Sequence, residues 1–167
     1  MLDGIKVVDL KVFPDERGFF TEGFRDDWKD LLGEDKIVQT NISKSYPEMI
    51  RAWHRHVRGQ NDYFIVLKGA LKICAFDEQT GELSEIVLSG DKLQIAKIPG
   101  KYWHGTKCVS NEPSLTVYLV SNLYDYKNPD EERRSWEDPA IVPKIINDNT
   151  TDKRVDRPWN WNAPPHK

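Results

Sequence analysis

The sequence predicts an all-β domain, a sandwich or barrel of antiparallel strands, and three observations carry that reading. Between residues 5 and 120 the chain is a succession of short β-rich runs, at 5–13, 18–24, 36–42, 49–56, 62–69, 70–76, 83–88, 92–98, 103–109 and 114–120. Turn residues separate these runs at the close spacing of antiparallel strands, with no alternation of strands and long helices. The length of 167 residues fits one domain, which at this size buries roughly 70% of the surface exposed by its unfolded chain.

Each break has a local cause. Residues 26–32 alone read as a helix, with Asp26 as N-cap and Gly33 as the stop. Lys68-Gly69 is expected to make a tight hairpin, and Asp77 to Gly81 a polar turn closed by a φ-permissive glycine. Pro99-Gly100 ends one strand before the next begins. After Asn122 the chain becomes rich in Pro, Asn, Asp and charge without a sustained period. Residues 1–125 are therefore expected to form the barrel and 126–167 a tail that wraps it or a dimer, with Trp136, Trp159 and Trp161 packing against the barrel exterior or a subunit interface.

A net charge of −3 and the lack of a long Lys/Arg run argue against a nucleic-acid binder or an electrostatic membrane anchor, both of which need concentrated positive charge. Small molecules and copies of the chain itself are the expected partners. Cys74 and Cys108 lie in apolar or alternating runs outside CxxC spacing and read as buried reduced thiols. Neither an export leader nor an apolar stretch of about 20 residues is evident, so a cytoplasmic location is expected and no membrane partner. Six Trp, six Tyr and six Phe in so polar a chain point to aromatic walls and pockets.

The densest chemical signal is the run from Arg51 to His56. His54 and His56 are spaced i, i+2 in a strand and project to one face. Either alone reads more readily as a hydrogen-bonded structural residue than as a functional one; two imidazoles converging inside a small barrel point to a ligand, a metal or proton transfer. His104 and an acid such as Asp62 complete a set that could hold a divalent cation. Tyr118 is a candidate proton donor, and also an ordinary strand residue.

In order along the first 125 residues, several segments resemble the RmlC-like cupins, best known as dTDP-4-dehydrorhamnose 3,5-epimerases. Phe13-Pro14-Asp15-Glu16-Arg17-Gly18-Phe19-Phe20-Thr21-Glu22 is similar to the family's DERGFF segment and its following glutamate. Val38-Gln39-Thr40-Asn41 resembles its VQxN strand, Arg51-Ala52-Trp53-His54 its RGLH strand, Ile98 to Gly105 its IPxGxxHG segment, and Val117-Tyr118 with Asn122 its last barrel strand. The resemblance implies a jelly-roll barrel that dimerises by exchanging N-terminal strands, binds a nucleotide sugar and uses no cofactor or metal. It implies His54 as the base that removes a proton α to a 4-keto group and Tyr118 as the acid on the opposite face. Arg51 and His104 would line the same pocket, Gln39 and Asn41 the sugar and diphosphate region, and Arg17, Phe19 and Glu22 the nucleotide half, often of a neighbouring subunit.

The chain departs from the family pattern in four places, one of them the loop between His54 and Gly69, which is about two residues shorter. Asp62, seven residues before Gly69, stands where the epimerases carry a lysine near the substrate ketone. Ile73 replaces an aspartate, and the C-terminal region that supplies the carboxylate orienting the family's base does not align with this tail. His54-Arg55-His56 is also similar to the HxH pair of the related sugar 3,4-ketoisomerases. The DERGFF-like start and Tyr118 nonetheless resemble the epimerase branch more, so an epimerase ranks first, with a ketoisomerase, a metal-bearing cupin and a non-catalytic nucleotide-sugar binder as alternatives; His56 and Asp62 join the expected substrate-binding residues.

Overall fold

Five consecutive residues of one strand, Asp62 to Val66, and six of the next, Leu71 to Phe76, are buried without interruption, as expected of central strands covered on both faces. The computed structural model describes residues 1–163. Its elements in chain order are β1 (Lys6–Asp9), β2 (Val12–Asp15), β3 (Gly18–Thr21), α1 (Lys29–Leu32), β4 (Gln39–Ser45), β5 (Ile50–Arg55), β6 (Asn61–Lys68), β7 (Ala70–Asp77), β8 (Glu82–Ser89), β9 (Gln94–Pro99), β10 (Trp103–Cys108), β11 (Ser114–Val120), β12 (Glu132–Arg133) and β13 (Ile145–Ile146). They form a five-stranded sheet of order β1-β9-β6-β11-β4, a six-stranded sheet of order β12-β5-β10-β7-β8-β13, and a separate β2-β3 hairpin. All pairings are antiparallel except β13 on β8.

Period-2 alternation sorts the side chains into three apolar layers. Between the sheets lie Phe64, Val66, Leu71, Ile73, Ala75, Leu88, Ala96 and Ile98. The outer face of the six-stranded sheet presents Trp53, Cys74, Phe76, Leu83 and Trp103, covered by Ile141, Ile146, Trp159 and Trp161 of the tail. The outer face of the five-stranded sheet presents Tyr63, Ile65, Ile95 and Leu119, covered by Leu10, Leu31 and Leu32. The expected β domain is thus a two-sheet jelly roll with cover on both outer faces.

Three local expectations change. The helix is a single turn that starts at Lys29, with Trp28 rather than Asp26 at its N-cap and no side-chain cap. The neighbouring Asp27 is paired with Arg25 (2.8 and 2.6 Å), and burial of Leu31 and Leu32 holds the turn in place. Gly33 does end it, at φ +63°. Lys68-Gly69 is a corner rather than a hairpin, because β6 and β7 belong to different sheets. A side chain at Gly69 (φ +69°) would meet Ser110 Oγ at 2.7 Å, so the crossing requires glycine. Trp136 remains exposed on this chain, while Trp159 and Trp161 pack as expected.

The other punctuation matches its reading. Asp77 pairs with Glu82 across the β7-β8 turn, the Gly81 N–H donates to the Asp77 carbonyl at 2.8 Å, and the Asp77 carboxylate accepts from Gln79 N at 2.9 Å. β9 ends at Pro99. Cys74 and Cys108 are buried and free. Among the described residues no helix is long and apolar enough to cross a membrane.

Candidate active site

One strand turns its two faces to opposite purposes. On β5, Trp53 points outward and is 1% exposed, its ring centroid 4.8 Å from that of Trp161 with the planes tilted by 42°. His54, one residue on, lines the interior. The register of β10 against β5 sets His104 directly opposite His54, and their rings lie 4.2 Å apart. His56, just past the end of β5, faces the same interior, with its ring 5.7 Å from His54. The i, i+2 spacing thus delivered both imidazoles to one cavity.

Asp62, on β6 of the other sheet, ties this cluster together. Its Oδ2 lies 3.2 Å from His104 Nε2 and 3.5 Å from His56 Nε2, and its Oδ1 accepts from Gln60 Nε2 at 2.8 Å. The opposite ring nitrogens face backbone carbonyls: His104 Nδ1 lies 2.9 Å from Tyr102 O and His56 Nδ1 lies 2.5 Å from Asp130 O. Burial alone would raise the Asp62 pKa, but the bonds from His104 and His56 outweigh it and hold the carboxyl well below the usual range. Burial likewise works against charge on His56, yet Asp62 and the Asp130 carbonyl together raise its pKa. His54 is held well below the ordinary histidine value, first by burial and next by the field of His104, with Asp62 opposing. A neutral imidazole beside a fixed carboxylate is the form a general base needs.

Tyr118 reaches the same cavity from β11, across the barrel from His54, with its ring stacked on Phe64 at 5.7 Å between centroids. Burial and then the charge of Asp62 raise its pKa, against the opposing field of Arg51, so the phenol stays protonated. Gln39 and Asn41 line the cavity on β4 and are joined to each other at 2.8 Å. Arg51 borders the adjoining space with His54 and Tyr118, its Nε donating to Ser45 Oγ at 3.2 Å. His104 is fully buried behind His54 rather than at the cavity wall. Arg17, Phe19 and Glu22 are not brought here within one chain: Arg17 and Phe19 are exposed on the β2-β3 hairpin, and Glu22 borders a separate 520 Å³ cavity beside Trp28.

The cavity of about 330 Å³ also has walls that sequence reasoning missed: Gln60, Tyr124, Tyr126, Asp130, Glu131 and Arg133. Gln60 carried a signal, since it sits two residues before Asp62 and so shares its face. The tail residues carried none. Asp130 anchors them, its carboxylate accepting from Val57 N at 3.0 Å and Arg58 N at 2.8 Å. His54, His56, Asp62 and His104 bring one donor atom each to within 4.8 Å of one another, a grouping that could meet a divalent cation. Here the carboxylate is already shared between the two histidines and Gln60.

The sequence profile described as dTDP-4-dehydrorhamnose 3,5-epimerase matches residues 1–157. The chain belongs to the dTDP-4-dehydrorhamnose 3,5-epimerase family. It is 40% identical over 134 residues to a probable low-salt glycan biosynthesis epimerase of Haloferax volcanii, covering 77% of this chain and 85% of that one. It is 33% identical over 146 residues to a spore coat polysaccharide biosynthesis protein of Bacillus subtilis, covering 84% and 94%. A crystal structure of the 3,5-epimerase of Legionella pneumophila, in complex with dTDP-4-keto-L-rhamnose, superposes with a TM-score of 0.76 and 26% identity over 98% of this chain and 84% of that one. Membership of this epimerase family puts the protein among the carbohydrate isomerases and favours epimerisation over the ketoisomerase, metal-bearing and non-catalytic alternatives.

Proposed function

We propose that the protein inverts one or both carbons flanking the ketone of a nucleoside-diphosphate 4-keto-6-deoxyhexose, with His54 as base and Tyr118 as acid. One observation carries the assignment of roles: the neutral imidazole and the protonated phenol enter one cavity from opposite sheets, so a sugar ring between them presents one face to each. A ketone acidifies its α C–H bonds because the resulting charge delocalises onto oxygen. His54 takes the α proton, the C–H electron pair becomes the enolate double bond, and the carbonyl pair moves to oxygen. Tyr118 then delivers its proton to the other face, and water restores both groups. Asp62 and His104 hold the wall behind His54, His56 belongs to the same network, and Gln39, Asn41 and Arg51 contact the sugar and diphosphate.

The same reading makes the protein a cytoplasmic homodimer in polysaccharide or deoxysugar synthesis. The β2-β3 hairpin supports the dimer, because it stands outside both sheets with Phe13, Phe19 and Phe20 exposed. Carried to a second copy, Arg17, Phe19 and Glu22 would bind the nucleotide half there. The test is incubation with 4-keto-6-deoxy sugars on several nucleotides in deuterated water, with exchange and product configuration read by NMR. Deuterium is expected at C3, C5 or both, with inversion. In Tyr118→Phe, exchange at one face should persist while net inversion drops about 100-fold or more. Wild-type inversion in that variant would place the acid elsewhere.

A further inference from the structure

Enolisation leaves negative charge on the ketone oxygen, and that charge requires a donor. The cavity holds amide donors in Gln39, Asn41 and Gln60, but Arg and Lys side chains to balance a full charge are scarce. Asp62, Asp130 and Glu131 are three carboxylates on its wall, and Asp62, at the position of the family lysine, is held by histidines. Among the described residues that line the cavity, Arg133 is the one Arg or Lys.

The tail delivers Arg133 by strand pairing. β12 runs antiparallel to the edge of β5 and sets Arg133 directly opposite His54. Residues so paired project to the same face of a sheet, with Cβ atoms about 5 Å apart. The preceding pair shows the alternation: Glu132 lies opposite Arg55 and bonds to it at 2.7 Å on the outer side. Arg133 borders both the 330 Å³ cavity and the adjoining space shared by His54 and Tyr118. Its guanidinium, with the side chain 75% exposed, is held by one oxygen of Glu131. Glu131 is largely buried, but the arginine end of the pair stands in solvent that screens it, which leaves the guanidinium free to turn onto an anionic ligand.

Resting on the epimerase reading above, we propose that Arg133 is a catalytic residue whose guanidinium donates to the ketone oxygen as the enolate forms, replacing the cation that Asp62 displaced. Electron pairs balance without an oxidant: the charge that appears on oxygen when His54 takes the proton is released when Tyr118 returns one to carbon. After burial and the fields of His104 and His56, the charge of Arg133 also helps keep His54 neutral.

The experiment is steady-state exchange and inversion by wild type, Arg133→Gln, Arg133→Lys and Glu132→Gln on a 4-keto-6-deoxy sugar nucleotide that the wild type turns over. Arg133→Gln is expected to lower kcat about 100-fold with KM within about threefold, Arg133→Lys to recover at least tenfold of that loss, and Glu132→Gln to match wild type. A higher KM with unchanged kcat would make Arg133 a diphosphate contact and overturn the proposal. An unaltered Arg133→Gln, or an equal loss in Glu132→Gln from a detached strand, would overturn it as well. Absence of exchange in the wild type with every sugar nucleotide would instead sink the epimerase reading, before Arg133 is reached.

Discussion

Trp53 and His54 are neighbours on β5, yet the two faces they define are built on different physics. The outer face is a buried aromatic cluster of Trp53, Trp161 and Trp159, tilted and edge-on to one another and closed by the tail. The inner face carries three imidazoles and a carboxylate beside a cavity, with His56, His104 and Asp62 held by hydrogen bonds and His54 set against the His104 ring. The outer face contributes stability by burial, and the inner one uses the strand so anchored to fix ring positions. A barrel with covered outer faces can therefore leave part of its interior polar.

The sharpest way to break this comparison is to remove one residue from each face. His54→Ala should cut deuterium exchange by about 10²–10⁴-fold while thermal unfolding stays near wild type. An unchanged exchange rate would remove His54 as base. Trp161→Ala, on the outer face, should cost about 3–5 kcal/mol of unfolding free energy in denaturant titration, and the fraction that remains folded should retain its exchange rate. Loss of rate without loss of stability would mean that the faces are not separable.

Asp62→Asn sharpens the comparison from within the cavity. The amide keeps the shape but removes the charge that His56 and His104 share, so kcat is expected to fall about 100-fold through misplacement of His54. Acid should unfold the two proteins differently. Because the folded Asp62 pKa lies below the ordinary 3.8, its stabilisation is complete above pH 3.8 and is lost as pH falls further; thermal melts of Asp62→Asn should lack that loss. The smallest effect is on the pH profile of the wild type. A base held below 6.5 and an acid held above 10.0 predict an exchange rate flat across neutral pH, with its acid limb below 6.5 and its alkaline limb above 10.0. An acid limb near pH 7 would contradict the burial of His54.

Local pattern made a large part of this legible. The Asp77–Gly81 turn carries its own hydrogen bonds, so its residues announced it. His54 and His56 share a cavity because strand spacing alone puts i and i+2 on one side. Gly69 was misread because a glycine corner between sheets and a glycine hairpin look alike until the partners of β6 and β7 are known. Asp26 was misread as a cap because its competition with Arg25, Asp27 and Trp28 for the start of a one-turn helix is decided by the buried Leu31 and Leu32.

By itself the sequence determined that this is a β domain, where most of its strands lie, which family it belongs to and which histidine and tyrosine to suspect. Those properties reside in side-chain alternation, turn chemistry and ordered motifs, all of short range. Only the tertiary structure decided that His54 and Tyr118 enter from opposite sheets, that Asp62 binds His56 and His104, and that Arg133 of the tail pairs with His54. Those contacts join segments distant along the chain, and their register is set by packing against both sheets, which no local window records.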